Sequence, residues 1–132
     1  MSLDPGRTIA TDDIPFKPLA ENVSMRVVYI DDATSAWTVM VHAEPGGVLP
    51  RHQHLSQAEI FILKGAGSHP QTGDYRTSDY IIEPAGATHD GVVFDQEVLM
   101  VMRSAGDVAF LNDDDSVAFM MNAGMLKGFA AQ

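Results

Sequence analysis

The sequence contains no cysteine. Disulfide frameworks, thiolate zinc sites and cysteine nucleophiles are therefore excluded. Cationic residues are scarce: 8 Lys and Arg stand against 18 Asp and Glu, for a formal net charge of −10. A field of that sign repels phosphate backbones and anionic lipid, so neither nucleic acid nor a membrane surface is expected as a partner. Long apolar runs are absent as well. Stretches such as Val98 to Met102 are far too short to span a bilayer. Met1 to Gly6 has no cationic segment followed by an apolar one, so no secretory leader is expected and the expected location is cytoplasmic. What is present is a globular balance of 45% hydrophobic and 20% charged residues over 132 positions, the size of one domain. Five histidines are its most informative minority.

Gly, Pro, Asp and Asn punctuate the chain often, and the segments between them are short and β-prone. Strands are expected at Val23 to Ile30, Ala36 to Ala43, Glu59 to Lys64 and Tyr80 to Glu83. Four more are expected at Gly91 to Phe94, Glu97 to Arg103, Val108 to Leu111 and Val117 to Met121. Eight short strands joined by turns read as an all-β sandwich or barrel. The tail from Asn122 to Gln132 has a weak helical pattern, weakened further by two glycines. Residues 1–20, with three prolines, are expected as an N-terminal arm, and residues 21–132 as a single barrel domain. The paired and tripled aspartates at Asp12, Asp31 and Asp113 lack calcium-loop spacing and read as solvated turns.

The histidine spacing carries the chemistry. His52 and His54 flank Gln53, and residues two apart on a strand share a face, so both rings can reach one ion. Pro50 just before them disfavours a helix, on which the pair would point apart. Alone, such a pair arises by chance in roughly one sequence of this composition in five. Downstream, Pro84-Ala85-Gly86-Ala87-Thr88-His89 ends one strand, turns, and opens the next with a third imidazole. The two pieces together arise by chance about once in a thousand sequences.

Gly46, His52, His54 and Glu59 resemble the first motif of the cupin superfamily in order and spacing, and Pro84, Gly86 and His89 resemble its second. Three positions depart from the family pattern. Gly65 follows Glu59 one residue early, and Ser78 and Val93 replace the second motif's leading glycine and trailing asparagine. The run from His52 to Gly65 and the stretch Tyr80 to His89 are similar to small bacterial cupins. That group includes acetylacetone and dihydroxyacetophenone dioxygenases and the metal-binding domain of ChrR-type anti-sigma factors. The resemblance implies a cupin fold, a double-stranded β-helix or jelly-roll barrel. It implies a divalent metal held by His52, His54 and His89 together with Glu59, which is also the candidate catalytic residue. In the dioxygenases the glutamate need not be a ligand, so a supporting hydrogen-bond role for Glu59 stays open beside direct ligation.

Three neutral imidazoles leave a divalent ion its full charge and open positions, which favours an anionic chelating ligand. Together with that chemistry, the resemblance implies a non-haem Fe(II) dioxygenase cleaving a C–C bond in a small apolar diketone or hydroxyketone, with O₂ as co-substrate. Zn, Ni and Mn are the other ions considered. The alternatives are a non-catalytic metal or small-molecule sensor, or a cupin isomerase or epimerase using an acid/base pair. The anti-sigma relatives carry an added cysteine-containing zinc domain, for which this chain has neither the cysteines nor the length.

The other two histidines read differently. His42 lies in an apolar strand and His69 in a Gly/Ser/Pro loop expected at the surface. Arg51 is expected to face outward. Trp37, Met40, Phe61, Tyr80, Met100 and Met102 lie on strands as core or pocket residues. Phe61 and Leu63 share parity with Glu59 and are the leading pocket-wall candidates. Glu59 to Leu63 and Val98 to Met102 are apolar on both faces, from which a homodimer through that sheet is expected.

Overall fold

A computed structural model of the chain describes residues 4–132. Antiparallel strands dominate it. One sheet has six strands, in the order β1 (Lys17–Ala20), β2 (Val23–Ile30), β3 (Trp37–Ala43), β12 (Val98–Ser104), β6 (Ala58–Lys64) and β9 (Tyr80–Glu83). A second has four, in the order β10 (Thr88–His89), β5 (His52–His54), β13 (Val108–Leu111) and β14 (Val117–Met121). Two small pairs complete the set: β4 (Val48–Leu49) with β11 (Val92–Val93), and the hairpin of β7 (Ala66–His69) with β8 (Gly73–Arg76). The packed sheets form the jelly-roll barrel that the resemblance implies.

The core lies between the two larger sheets. Met25, Val39, Val41, Ile62, Met100 and Val108 are buried there, and Trp37 donates its Nε1–H to the Gly106 carbonyl at 2.9 Å. Each such side chain contributes roughly 1.5–3 kcal/mol through removal from water. Strand parity decides who enters. On β6, Ala58, Ile60 and Ile62 face the core while Glu59, Phe61 and Leu63 face out. Phe61 and Leu63 are therefore not pocket walls: they are 49% and 47% exposed. Tyr80 and Ile82 alternate outward in the same way on β9. Of the remaining aromatic and Met residues named from the sequence, Met100 and Met102 reach the interior cavities, whereas Trp37 is buried in the core.

Part of residues 4–20 packs onto the barrel. β1 pairs with β2 and forms an edge of the six-stranded sheet. Arg26, buried, lies over the Phe16 ring at 4.3 Å, and Lys17 Nζ reaches the Ala130 carbonyl at 2.8 Å. The tail does form a helix, α1 (Ala123–Ala130). Asn122 caps it by accepting from the Met125 N–H at 2.9 Å, and burial of Leu126 and Phe129 offsets the cost of its glycines. No helix among the described residues is long and apolar enough to cross a membrane.

Candidate metal centre

β5 is the middle of the site. His52 and His54 point inward from it and both are buried, with Gln53 between them less buried. His89 on β10 sits directly across from His52 in the ladder, and Phe110 on β13 flanks His52 from the other side. The turn between β9 and β10 is fastened to β5 through both backbone groups of His54. Its amide donates to the Ala87 carbonyl at 2.9 Å, and its carbonyl accepts from Gly86 N–H at 2.6 Å. Gly86 has φ +89°, a left-handed conformation that glycine adopts without a Cβ penalty. The Pro-x-Gly-x-x-His spacing is thus the chain length needed to leave β9, turn, and return an imidazole to the face that already holds two.

The fourth group is Glu83, the last residue of β9. His52, His54, Glu83 and His89 each offer one ligand atom within 4.8 Å of the others, and all four are buried. Glu83 Oε2 is 2.6 Å from His89 Nδ1 and 3.2 Å from His54 Nε2. Glu59 does not join them. It lies half-buried on the outward face of β6, where its charge, after desolvation, helps raise the Tyr80 phenol above its ordinary value. The carboxylate of the site therefore comes from the neighbouring strand. Its signal in the sequence is a lone acid closing the apolar run Tyr80-Ile81-Ile82-Glu83, immediately before Pro84.

His69 is a second correction. The loop composition suggests the surface, yet His69 is only 6% exposed, and its ring stands edge-on to His89 at 4.5 Å. The β7–β8 hairpin folds it back over the barrel. His42 and Arg51 lie outside the cluster. His42 pairs with Glu97 at 2.9 Å, and Arg51 is ion-paired with Asp115 and Asp90.

The electrostatics favour ligand-ready side chains. Burial pushes the His52 imidazole down from 6.5 to about 4, partly countered by its hydrogen bond to the Pro50 carbonyl. That 2.9 Å bond takes the Nδ1–H and leaves Nε2 with its lone pair free. Burial also lowers His89 and His69. Burial alone would raise Glu83, but the His54 imidazole 3.2 Å away, then the charges of His89 and His52, hold its carboxyl below the usual range.

These residues fit a divalent cation on a direct observation. Both ring nitrogens of His54, Nδ1 of His89 and Oε1 of Glu83 are buried without a hydrogen-bond partner. Orphaned polar atoms cost about 1–3 kcal/mol each, and one cation taking a single nitrogen of each ring and a carboxylate oxygen would satisfy three of these four. Neutral imidazole nitrogen and carboxylate oxygen are ligands for Fe, Zn, Ni and Mn alike. Two cavities of about 20 Å³ each adjoin the cluster and share Leu49, His52 and Met102 as walls. One also carries His54 and is otherwise apolar, with Met25, Val41, Phe110 and Met121 among its walls. The other also carries Tyr75, His69 and Glu83.

Comparison with known proteins agrees with this geometry. The profile of the family described as the ChrR cupin-like domain matches residues 5–109. A protein of Methylibium petroleiphilum PM1, provisionally described as an acetylacetone dioxygenase, superposes with a TM-score of 0.90 at 19% identity, covering 100% of this chain and 99% of its own. An acetylacetone dioxygenase of Acinetobacter johnsonii superposes with a TM-score of 0.86 at 19% identity, covering 99% and 93%. The Rhodobacter sphaeroides complex of SigE with the anti-sigma ChrR superposes with a TM-score of 0.62 at 17% identity, covering 70% and 50%. At these identities the likeness is one of fold. No curated protein matches by sequence.

Proposed function

Since the chain belongs to the ChrR cupin-like domain family, we propose that it is a metal-dependent cupin enzyme, a non-haem Fe(II) dioxygenase that cleaves a C–C bond in a small diketone or hydroxyketone. The observation that carries the proposal is the buried set of three histidines and Glu83 beside a cavity with an almost wholly apolar wall. Such a wall suits the alkyl or aryl part of a ketone, and a chelating oxygen pair suits the cation. The Acinetobacter johnsonii dioxygenase and the Methylibium protein provisionally described as one also cover nearly all of this chain, whereas the anti-sigma complex covers 70% of it.

A bound Fe(II) would supply positive charge to an enolate and the one-electron chemistry that O₂ requires. His52, His54, His89 and Glu83 would hold it. Glu83 has a further role in this reading. Its carboxyl is held in the ionised form, and whichever oxygen does not hold the cation is the acceptor available for the α-proton of a diketone. Val92, Phe94, Met100 and Met102 line the cavity beside Glu83 and keep bulk water from that proton and from the enolate. The catalytic carboxylate is on this account Glu83 rather than Glu59.

The test is oxygen uptake by Fe(II)-loaded protein with a panel of 1,3-diketones and 2-hydroxyketones. Uptake matched by carboxylic acid product supports the proposal; no uptake with any of them overturns it. A second reading, a metal or small-molecule sensor, is favoured by one observation. Each cavity has room for about one water, less than any diketone occupies. Zinc in protein purified without added metal, together with absent oxygen uptake, selects the sensor.

A further inference from the structure

His69 lies outside the four-residue cluster yet faces it. Its Nδ1 accepts two backbone N–H groups, from Gln71 at 3.1 Å and Thr72 at 3.2 Å, within the turn of the β7–β8 hairpin. A lone pair occupied in this way leaves the ring proton on Nε2. That atom is 3.7 Å from Glu83 Oε2, longer than a hydrogen bond and within electrostatic reach. The ring itself stands edge-on to His89 at 84°.

Two other imidazole nitrogens lie closer to Glu83 Oε2: His89 Nδ1 at 2.6 Å and His54 Nε2 at 3.2 Å. Both belong to rings of the ligand cluster. A ring nitrogen that binds a cation has no proton to give, so either can serve Glu83 only where it is not itself the ligand atom. The His69 Nε2–H is not contested in this way, because the two amides fix it from the opposite side of the ring.

We propose that His69 is a positioning residue of the metal centre: the β7–β8 hairpin holds its Nε2–H toward Glu83 and its ring against His89, and so fixes the carboxylate and that ligand ring for a divalent cation. The inference rests on the metal-binding part of the reading above and is independent of the dioxygenase part. It also accounts for the burial of a histidine at the turn of a hairpin in which Tyr75 is the other large buried side chain. Such supporting groups typically alter metal affinity by about 10–100-fold, through ligand orientation rather than ligation.

The test uses the full chain and Co(II) as the probe, followed by its visible d–d bands and by competition with a chelator. His69→Leu is expected to keep a stoichiometry of one ion, to bind it about 10–100-fold more weakly and to shift the d–d bands. His69→Gln, which retains an N–H donor, is expected to recover most of the loss. His54→Ala, removing a ligand, is expected to bind far more weakly than either. Wild-type affinity and spectrum in His69→Leu overturn the proposal, as does a His69→Gln variant no better than His69→Leu. A measurement without substitution stands beside these: two-bond ¹H–¹⁵N spectra should show residue 69 as the Nε2–H tautomer both with and without Zn(II). An Nδ1–H tautomer overturns the proposal whatever the variants do. If the unsubstituted chain binds no Co(II), the metal site itself fails and this inference with it.

Discussion

Glu83 stands directly opposite Ala58 across the β6–β9 ladder, and Glu59 stands opposite Ile82. Facing residues of an antiparallel pair share a side of the sheet, so Glu83 shares the inner side with Ala58 and Glu59 the outer side with Ile82. The methyl group of Ala58, fully buried, leaves space beside the carboxylate that a larger side chain would fill. A single step along β6 thus decides which acid belongs to the site.

Substitution should separate the two acids. Glu83→Gln keeps the shape and removes the charge beside three imidazoles, and is expected to weaken divalent metal binding by about 100-fold. Glu59→Gln alters an outward side chain and is expected to leave affinity unchanged. Metal titration against a chromophoric chelator measures both. Equal losses in the two variants would return Glu59 to the site.

The three clustered histidines were legible because their information is local. Two lie on one short strand and the third a fixed turn away, so spacing alone carries the geometry. Glu83 was not, because its partner residues come from β5 and β10, and strand parity has to be known before a lone acid in an apolar run can be assigned a face. The one-residue offset of Gly65 disguised this, since Glu59 matched a motif in order while its side chain turned outward. His69 was misplaced for a related reason. Small polar residues describe a turn, and composition does not say that the hairpin folds back onto the barrel. On the larger sheets β2, β3, β6, β9, β12, β13 and β14 were readable from turn residues, whereas β1, β5, β7 and β8 carry too little apolar pattern to be seen.

Acid should destabilise the metal-free protein. The unfolded chain takes up a proton on His52 near pH 6.5, but the folded protein resists it until about pH 4. Stability from this group is complete above pH 6.5 and falls as pH drops toward 4, by about 3 kcal/mol. The lowered His69 and His89 act in the same direction. Glu83, also lowered, adds a further loss only below its ordinary value of 4.5, as pH falls through its folded pKa. Urea midpoints of chelator-treated protein at pH 7.5 and 5 should differ accordingly; equal midpoints contradict the burial argument.

Gly65 and Gly128 should respond oppositely to alanine. Gly65 has φ +100°, and a Cβ there would lie 2.2 Å from the Glu97 carbonyl oxygen, a backbone atom that cannot step aside. Gly65→Ala is expected to cost roughly 2–4 kcal/mol, a melting-temperature fall on the order of 10 °C. A Cβ at Gly128, in α1, meets nothing within 4 Å. Gly128→Ala is expected to stabilise by up to about 1 kcal/mol through helix propensity. Thermal unfolding followed by circular dichroism checks both.

The outward face of β6 and β9 bears on assembly. Phe61 and Tyr80 lie 4.9 Å apart, and with Leu63 and Ile82 they form an apolar patch at the edge of the six-stranded sheet. On a chain of net charge −10, contiguous exposed aromatics stand out against an otherwise acidic surface. The homodimer expected from the two-sided strands would cover them, with the patch meeting its own copy about a two-fold axis. Light scattering should then give about twice the 14.3 kDa of one chain. Phe61→Glu combined with Tyr80→Glu places like charges against each other across that axis. The double variant is expected to run as a monomer while binding metal normally, because neither side chain faces the interior. A wild-type mass of one chain refutes the dimer, and a dimer that survives the double substitution places its interface elsewhere.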